Sequence, residues 1–387
     1  MKRNLLLLAL VFISIGLKAQ FWSQQNTNMV GIAGPVGVDQ ISIVDSNIVW
    51  VNGFDGSGTT PIKASSRTLD GGLTWTASAY TGLGTTVMPS VLTAVNYDTA
   101  FAIGYDTVGQ TASFWKTIDG GANWAIVAGV LNGGATFADG VRFWNQAQGF
   151  AYGDPVSSNW DIYTTSDSGK TWFDVPNANM PAPLSASEYG YNGFDCSATV
   201  SGGIGFIGTN LGRVLITTDY GATWAATPTA PYTAAASIKV YASSANYIIV
   251  GVLATSASTV YTWKYTSDGG TTWNVLTPTG AFYDYQLCHV PGLPNMFVSS
   301  SPDGTTPHDG VSYSTDGGLT WTDYLDATYL QPTGSNIQCL GVGFYNKTTG
   351  WVGNYDQGSS INSIAIGSGS FAGFSTISTS PSNFVTL

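Results

Sequence analysis

The sequence predicts an all-β fold, a single seven-bladed propeller of four-stranded antiparallel blades, and three observations lead to that prediction. An octapeptide with the pattern Ser/Thr-x-Asp-x-Gly-x-Thr/Asn-Trp occurs six times, with its acidic residue at Asp70, Asp119, Asp167, Asp219, Asp268 and Asp316. A period near 50 residues is typical of propeller blades. Only 9% of the residues are charged and 48 are Gly, a composition that favours strands and tight turns.

The third observation is the pattern inside each repeat. The first unit contains four short β-like segments, "ISIVDS", "NIVWVNGFD", "IKASSRTLDGG" and "LTWTAS", and the octapeptide forms the turn between the last two. Asp and Thr side chains can fix such a turn, and the second Gly can take a positive φ. We therefore predict a structural role for the paired Asp and Trp residues Asp70, Trp75, Asp119, Trp124, Asp167, Trp172, Asp219, Trp224, Asp268, Trp273, Asp316 and Trp321.

Six blades contain the octapeptide, and the seventh lacks it. The segment 336–369 supplies three strands of that blade, whereas "FWSQQNTN" at 21–28 resembles the outer strands of the other blades. We predict that this N-terminal strand closes the last blade, which removes exposed sheet edges. The predicted blades are 36–80, 88–128, 138–176, 192–229, 235–278, 284–325, and 335–375 with 21–28. A ring of six or eight blades is the alternative.

The two ends of the chain lie outside the predicted propeller of residues 20–375. Residues 1–19 combine Lys2 and Arg3 with an apolar run and Ala19 at a plausible cleavage point. This pattern is typical of a signal peptide, so we expect export to the periplasm, the outer surface or the medium. Residues 376–387 form a polar tail.

Charge limits the classes of partner. Cleavage of the leader removes three of 12 basic residues and leaves nine against 23 acidic ones, a net charge of −14. Such a chain repels nucleic acid and anionic lipid. No membrane insertion, cofactor or metal site is predicted, and a monomer is expected. Cys196, Cys288 and Cys339 allow at most one internal disulfide, with the pairing left open.

The octapeptide resembles the Asp box, or BNR repeat, of sialidases, sortilin-type receptors, xyloglucanases and photosystem II stability/assembly factor-like proteins. The resemblance covers roughly residues 21–375 and implies a propeller fold. Residues 143–172 and 187–224 are similar to segments of the bacterial assembly factor-like proteins, which makes Asp154, Glu188 and Arg213 family-like positions. The leader, which ends in Lys-Ala-Gln, resembles those of Bacteroidetes-like bacteria.

Enzymatic activity is not favoured by the residue content. The sialidase resemblance implies a grip on substrate by three Arg. The mature chain has only Arg67, Arg142 and Arg213, and we expect Arg67 and Arg213 in the outer part of a blade, away from the axis. A glycosidase of neutral sugars needs two carboxyl groups, and Glu188 with Asp154 is the candidate pair. No other catalytic pattern is present.

One face of the propeller is the predicted binding surface. The turns between second and third strands carry Asp55, Asp106, Asp154, Asp303 and Asp356, and the connections between blades carry Glu188, Tyr189, Tyr191, Tyr283 and Tyr285. Turn chemistry and packing are the structural interpretation of these residues. A ring of carboxylates nevertheless creates a negative potential, and Tyr is common at binding surfaces. We expect a protein partner here; a glycan ligand and a purely structural module are the alternatives.

Overall fold

The computed structural model describes residues 22–29, 36–54, 62–131, 137–191, 194–233, 237–253, 261–302, 309–324, 337–356 and 363–368. The predicted leader, the tail, Asp55 and Asp303 lie outside the described residues. Apart from two 3₁₀ turns at Asn177–Asn179 and Phe194–Cys196, the regular elements are β-strands. Successive strands pair antiparallel within each sheet, as expected for alternating apolar and polar segments joined by Gly-rich turns.

The first three sheets follow chain order. Sheet 1 contains β2 (Gly37–Ile43), β3 (Val49–Phe54), β4 (Ala64–Thr68) and β5 (Thr76–Ala79). Sheet 2 contains β6 (Val87–Ala94), β7 (Ala100–Asp106), β8 (Thr111–Thr117) and β9 (Ala125–Ile126). Sheet 3 contains β10 (Ala138–Phe143), β11 (Gly149–Val156), β12 (Asn159–Thr165) and β13 (Phe173–Asp174).

The remaining sheets continue the series. Sheet 4 contains β14 (Ser197–Val200), β15 (Ile204–Gly208), β16 (Val214–Thr217) and β17 (Ala225–Ala226), and sheet 5 contains β18 (Ile238–Ala242), β19 (Ile248–Leu253), β20 (Tyr261–Thr266) and β21 (Asn274–Leu276). Sheet 6 contains β22 (Thr279–Gly280), β23 (Gln286–His289), β24 (Phe297–Pro302), β25 (Asp309–Ser314) and β26 (Thr320–Asp323). Sheet 7 contains β27 (Ile337–Asn346), β28 (Thr349–Asp356), β29 (Ser363–Ser368) and the N-terminal β1 (Trp22–Asn26).

The prediction of an all-β propeller built from four-stranded antiparallel blades is confirmed. The predicted number of such blades was wrong, because six rather than seven of the described sheets have four strands. Six sheets have four strands, and sheet 6 has five. The extra strand, β22, belongs to the connection that leaves sheet 5, and it pairs parallel with β26 of the next sheet. Gly280 has a φ of +86° and lies against the backbone of Trp321, where a Cβ would collide. A close approach of two backbones explains the additional pairing.

The innermost strands meet in a closed ring. Each of β2, β6, β10, β14, β18, β23 and β27 contacts the next, and β27 returns to β2. The N-terminal strand β1 pairs antiparallel with β29, from Trp22 opposite Gly367 to Asn26 opposite Ser363. Sheet 7 is thus assembled from both ends of the described chain.

The core is distributed between neighbouring sheets. Among the described residues, seven clusters of buried apolar side chains each join two adjacent sheets. The Trp of each octapeptide packs toward the preceding sheet. Trp224 meets Phe150 of sheet 3 edge-on at 5.2 Å, and Trp75 Nε1 donates to Gln25 Oε1 of β1 at 2.9 Å. Burial of these large rings stabilises the contact from sheet to sheet.

The six octapeptides form one repeated turn. In each, the Oγ of the first Ser or Thr accepts from the backbone N–H of the Gly four residues later, at 2.7–3.0 Å. The Asp Oδ1 accepts from the N–H of the seventh residue at 2.9 Å. The fifth residue is always Gly with positive φ, and at Gly169 a Cβ would also strike Phe101. Every contact that defines the turn is local, so the same sequence gives the same structure.

Candidate functional site

The two ends of the ring differ in the kind of loop they carry. Because the strands alternate in direction, the octapeptide turns and the turns after the innermost strands lie at one end, which we call the box face. The turns between second and third strands and the connections between sheets lie at the other end, which we call the connection face. The sequence-predicted site residues belong to the connection face.

The longest described connection on that face joins sheets 3 and 4. Its segment 184–187 is exposed, and Leu184 retains 62% exposure. Both flanks of the segment are fixed. Trp160 Nε1 donates to the carbonyl of Pro181 at 2.7 Å on one side. On the other side, Asn210 Nδ2 donates to the carbonyl of Ser187 at 2.9 Å.

Glu188 is the anchor of this connection. Its side chain is fully buried, and its Oε1 accepts from Arg213 Nε at 2.8 Å and from Thr209 Oγ1 at 3.0 Å. Its Oε2 accepts from Arg213 Nη2 and from the N–H of Leu184, both at 2.6 Å. This bidentate, charge-assisted pairing occupies both carboxylate oxygens. The fold therefore sequesters this carboxylate, and the ligand-contacting or catalytic role predicted for Glu188 stays a prediction.

The two tyrosines after Glu188 follow an added backbone pairing. Tyr189 N donates to Asn210 Oδ1 at 2.9 Å, Tyr191 N donates to the carbonyl of Gly208 at 3.0 Å, and Gly190 forms a bridge with Thr209. The rings of Tyr189 and Tyr191 are stacked with centroids 6.4 Å apart, and both are partly exposed. The backbone therefore holds a pair of aromatic rings at the surface.

Asp154 lies close enough to Tyr189 to affect its hydroxyl, and it lies next to Asp139, a residue that was not predicted. Asp139 sits at a β-bulge of β10 and is 1% exposed, and its carboxyl lies next to that of Asp154 of β11, with which it can share a proton. Burial raises the pKa of both carboxyls, and the charge of Asp154 raises that of Asp139 further. Tyr189 is close enough for these carboxylates to raise the pKa of its hydroxyl, in addition to the larger effect of burial.

The other predicted residues do not converge with this group. Asp106 Oδ1 accepts from the N–H groups of Val108 and Gly109 at 3.0 and 3.1 Å, and these bonds lower the pKa of its carboxyl. It is a partly exposed residue at the end of β7, where it fixes the following turn. Tyr283 is only 5% exposed and packs in the interior, and its predicted role as a contact residue stays a prediction. Tyr285 lies under Lys239, with Nζ 5.2 Å from the ring centroid.

The side chains of three predicted acidic residues lie outside the described part of the structure. Asp55 and Asp303 are outside the described residues. Asp356 is the last residue of β28, and only its backbone position is described. The predicted ring of five carboxylates therefore stays a prediction at these three positions.

Sequence reasoning also missed a polar group inside the ring. Asp195 accepts from Gln286 Nε2 at 3.2 Å and lies 3.6 Å from Lys239 Nζ. Asp39, at a bulge of β2, has its pKa raised to about 7 by burial and by the charge of Asp195. Sheets 1 and 4 are not neighbours in the ring. Both carboxylates therefore face the central channel that the innermost strands enclose. A bulge of this kind re-aims one side chain, and nothing in the sequence marks it.

Toward the box face this channel widens into a cavity of about 620 Å³. Its wall combines Arg142 and Asp195 with apolar side chains such as Val240 and Phe344. Arg142 Nε donates to Ser197 Oγ at 3.2 Å. Arg67 lies over the Trp50 ring at 5.3 Å, so the three arginines of the mature sequence have separate surroundings.

The described residues were found to form neither a metal-binding group nor a disulfide. Within the described residues, no group of three or more His, Cys, Asp or Glu is arranged to hold a metal ion. None of the three cysteines, all of which are described, forms a disulfide. No helix of the described chain has the length and apolar character required to cross a membrane.

Comparison with solved structures places the fold among known propellers. No protein-family model and no curated protein matches the chain. YCF48 bound to a D1 peptide superposes with a TM-score of 0.58 at 14% identity, covering 91% of this chain and 98% of that one. YCF48 from Cyanidioschyzon merolae gives a TM-score of 0.56 at 16% identity, covering 90% and 99%.

A third similar structure is the GH74 xyloglucanase from Xanthomonas campestris, with a TM-score of 0.51 at 12% identity. The match covers 86% of this chain but 52% of the enzyme, so the chain spans about half of its length. At these identities, what the chain shares with the three structures is the propeller fold.

Proposed function

We propose that the chain is an exported, non-enzymatic propeller that binds a protein partner on its connection face. The observation that supports this proposal most directly is the exposed segment 184–187, fixed at its base by the buried Glu188–Arg213 pair. A loop that is rigid before binding loses little conformational entropy when a partner docks. Leu184 supplies exposed apolar area, and Tyr189 and Tyr191 supply adjacent rings of the kind that anchor interfaces.

The fold comparison supports the same class of function. YCF48, which has this fold, is bound to a D1 peptide in its solved structure. A protein or peptide partner is therefore consistent with what a related architecture accommodates. The sequestered Glu188 carboxylate leaves the proposed glycosidase pair without one member, which favours binding over hydrolysis.

The test uses one chemical change on two faces. The mature protein would serve as bait in native cell-envelope extract, beside Leu184→Asp and the control Leu73→Asp, whose leucine is 84% exposed on the box face. We expect one defined protein to be retained by the wild type and by Leu73→Asp, and lost from Leu184→Asp. The interaction would then be reconstituted from purified components. Equal retention by both variants would place the interface elsewhere.

Location and oligomeric state are part of the proposal. The leader predicted at residues 1–19 supports export, and the acidic balance of the chain supports a monomeric, water-exposed protein. N-terminal sequencing of the protein recovered from cell fractions should begin at Gln20. An uncleaved N-terminus in the cytoplasmic fraction would contradict export.

A glycan is the second candidate ligand, because the stacked Tyr189 and Tyr191 rings offer faces on which a sugar could lie. Binding to a polysaccharide panel, lost in the Tyr189→Ala variant, would favour this alternative. Release of reducing ends that disappears in Glu188→Gln would contradict the non-enzymatic proposal.

A further inference from the structure

The carboxyl groups of Asp139 and Asp154 lie next to each other but differ in their surroundings. Asp139 is 1% exposed, and its Oδ2 has no hydrogen-bond partner among the described residues. Asp154 is partly exposed on the connection face. One carboxyl group therefore faces a possible ligand, and the other lies behind it.

Two adjacent buried carboxyls do not ionise together, and burial decides which one keeps the proton. The pKa of Asp139 is raised well above its usual range, first by burial and then by the charge of Asp154. An unpaired buried oxygen is also less costly on a neutral carboxyl than on a carboxylate. Asp139 is thus the member of the pair that holds a proton more tightly, and in its protonated form it donates to Asp154; this bond partly offsets the effect of burial on the pKa of Asp154.

The other titratable groups around the pair stay neutral near pH 7. Burial raises the pKa of the hydroxyls of Tyr152 and Tyr189, and it raises that of the Cys196 thiol to about 12. Tyr152 Oη donates to the backbone carbonyl of Tyr191 at 3.3 Å. Asp154 is therefore the negative charge of this group, and it is held in a fixed orientation beside two aromatic rings.

We propose that Asp154, oriented by Asp139 and flanked by Tyr189 and Tyr191, binds the side chain of a Lys or Arg on the protein partner. A partly buried carboxylate pairs more strongly with a cation than an exposed one, and Tyr faces attract ammonium and guanidinium groups. A metal ion is a poorer occupant, since the described residues include no set of three metal-ligating side chains. This inference rests on the proposed function and specifies what its interface recognises.

The experiment is a selection with random 12-residue peptides displayed on phage, using the full mature chain as target. Peptides retained by the wild type would be synthesised, and their dissociation constants for the wild type and for Asp154→Asn measured by fluorescence polarisation. We expect a Lys or Arg at a fixed position. Its replacement by norleucine or citrulline should weaken binding about tenfold or more, the order expected for a desolvated charge pair.

Matched variants separate this site from general electrostatics. Asp106→Asn removes another acidic charge from the same face and should leave affinity within about threefold. Asp139→Asn keeps a hydrogen-bond donor behind Asp154 and should also stay within about threefold, whereas Asp139→Leu removes the donor and should weaken binding about tenfold. Thermal unfolding of each variant checks that the propeller is intact.

A pH series tests the positioning role of Asp139. Affinity should fall as the pH drops through the pKa of Asp154, because protonation removes its charge. In Asp139→Leu that midpoint should move to higher pH, since the hydrogen bond that lowers the pKa of Asp154 is lost. A purely structural role for Asp139 would leave the midpoint unchanged.

The outcomes distinguish this inference from the proposal on which it rests. Peptides that bind through Leu184 but need neither a basic residue nor Asp154 would overturn the inference and leave the proposed function standing. If no peptide is enriched, both fail, because a preformed peptide site was expected on this face. Equal binding by Asp154→Asn and the wild type would likewise overturn the assignment of Asp154.

Discussion

The box face and the connection face are built from the same strands but use acidic residues in opposite ways. On the box face, Asp70 forms hydrogen bonds within its own octapeptide, and those from Thr74 help to lower the pKa of its carboxyl to about 2. On the connection face and in the channel below it, burial raises the pKa of Asp139, Asp154 and Asp39. The repeated acids are stabilised as charges by local hydrogen bonds, whereas Asp39, Asp139 and Asp154 are held where burial disfavours a charge.

The range of the contacts differs in the same way. The octapeptide bonds span two to four residues, while Glu188 and Arg213 are 25 residues apart and come from different segments of the fold. Local chemistry copied six times serves the scaffold. Buried polar groups that occur only once lose solvation energy when the chain folds, and we expect function at such groups.

The largest effect should come from breaking the buried ion pair of the connection face. Arg213→Ala leaves the Glu188 carboxylate buried without its partner and should lower the free energy of unfolding by about 3–5 kcal/mol. Arg67→Ala is the matched control, since that side chain lies over the Trp50 ring at an intermediate exposure and should cost about 1 kcal/mol. Urea denaturation measures both; equal losses would remove the contrast between the two arginines.

A smaller effect is expected within one octapeptide of the box face. Thr217 is buried, and its Oγ1 accepts from Gly221 N at 3.0 Å, so Thr217→Val should cost about 1–3 kcal/mol by leaving that N–H unpaired. Thr223 is exposed and donates to Asp219 Oδ2 at 2.6 Å, so Thr223→Val should cost less than about 1 kcal/mol. Similar losses in the two denaturation curves would contradict an organising role for the first Thr.

A further effect depends on pH and comes from the channel, and it is absent at low pH. Asp39 has a folded-state pKa of about 7 against 3.8 for the ordinary group, so the folded state binds its proton more tightly. Stability should therefore decline as the pH rises from about 4 to 7 and then level off. Asp39→Asn lacks that decline and should be more stable than the wild type by up to about 4 kcal/mol at pH 8, with little difference at pH 4.

Thermal unfolding at both pH values checks this prediction. Asp106→Asn is the control, because the pKa of Asp106 is lowered and its loss brings no gain at pH 8. A constant difference between Asp39→Asn and the wild type at the two pH values would show that Asp39 does not titrate as described.

Much of the scaffold could be predicted because its determinants are local. The octapeptide contains every group that forms its turn, so six copies at a constant period located the blades. The strand β22 was missed because its pairing depends on Gly280 lying against the backbone of Trp321, 41 residues further along. Sequence patterns within one repeat carry no information about such an approach between sheets.

The candidate site was predicted only in part, for the same reason. Glu188 lies in a polar stretch, "SASEYGY", that is typical of an exposed loop, and its burial depends on Arg213 in the following sheet. Asp139 lies in "ADGVRF", which indicates an inner strand but not the bulge that turns its carboxyl toward Asp154. Asp154, Tyr189 and Tyr191 could be predicted as surface positions because they stand at the ends of elements that the repeat had already located; their role in binding stays a prediction.

The pairing of β1 with β29 has a consequence for the order of folding. Sheet 7 takes residues 22–26 from the start of the chain and residues 337–368 from its far end. A chain that emerges N-terminus first must carry its first strand unpaired until nearly all of the remaining sequence has followed. Ring closure is then the final and most non-local step of assembly, and non-local contacts of this kind form slowly. Until that step the outer edge of β29 stays available to other chains. The rate of ring closure, rather than the stability of the closed ring, therefore governs the risk of misassembly.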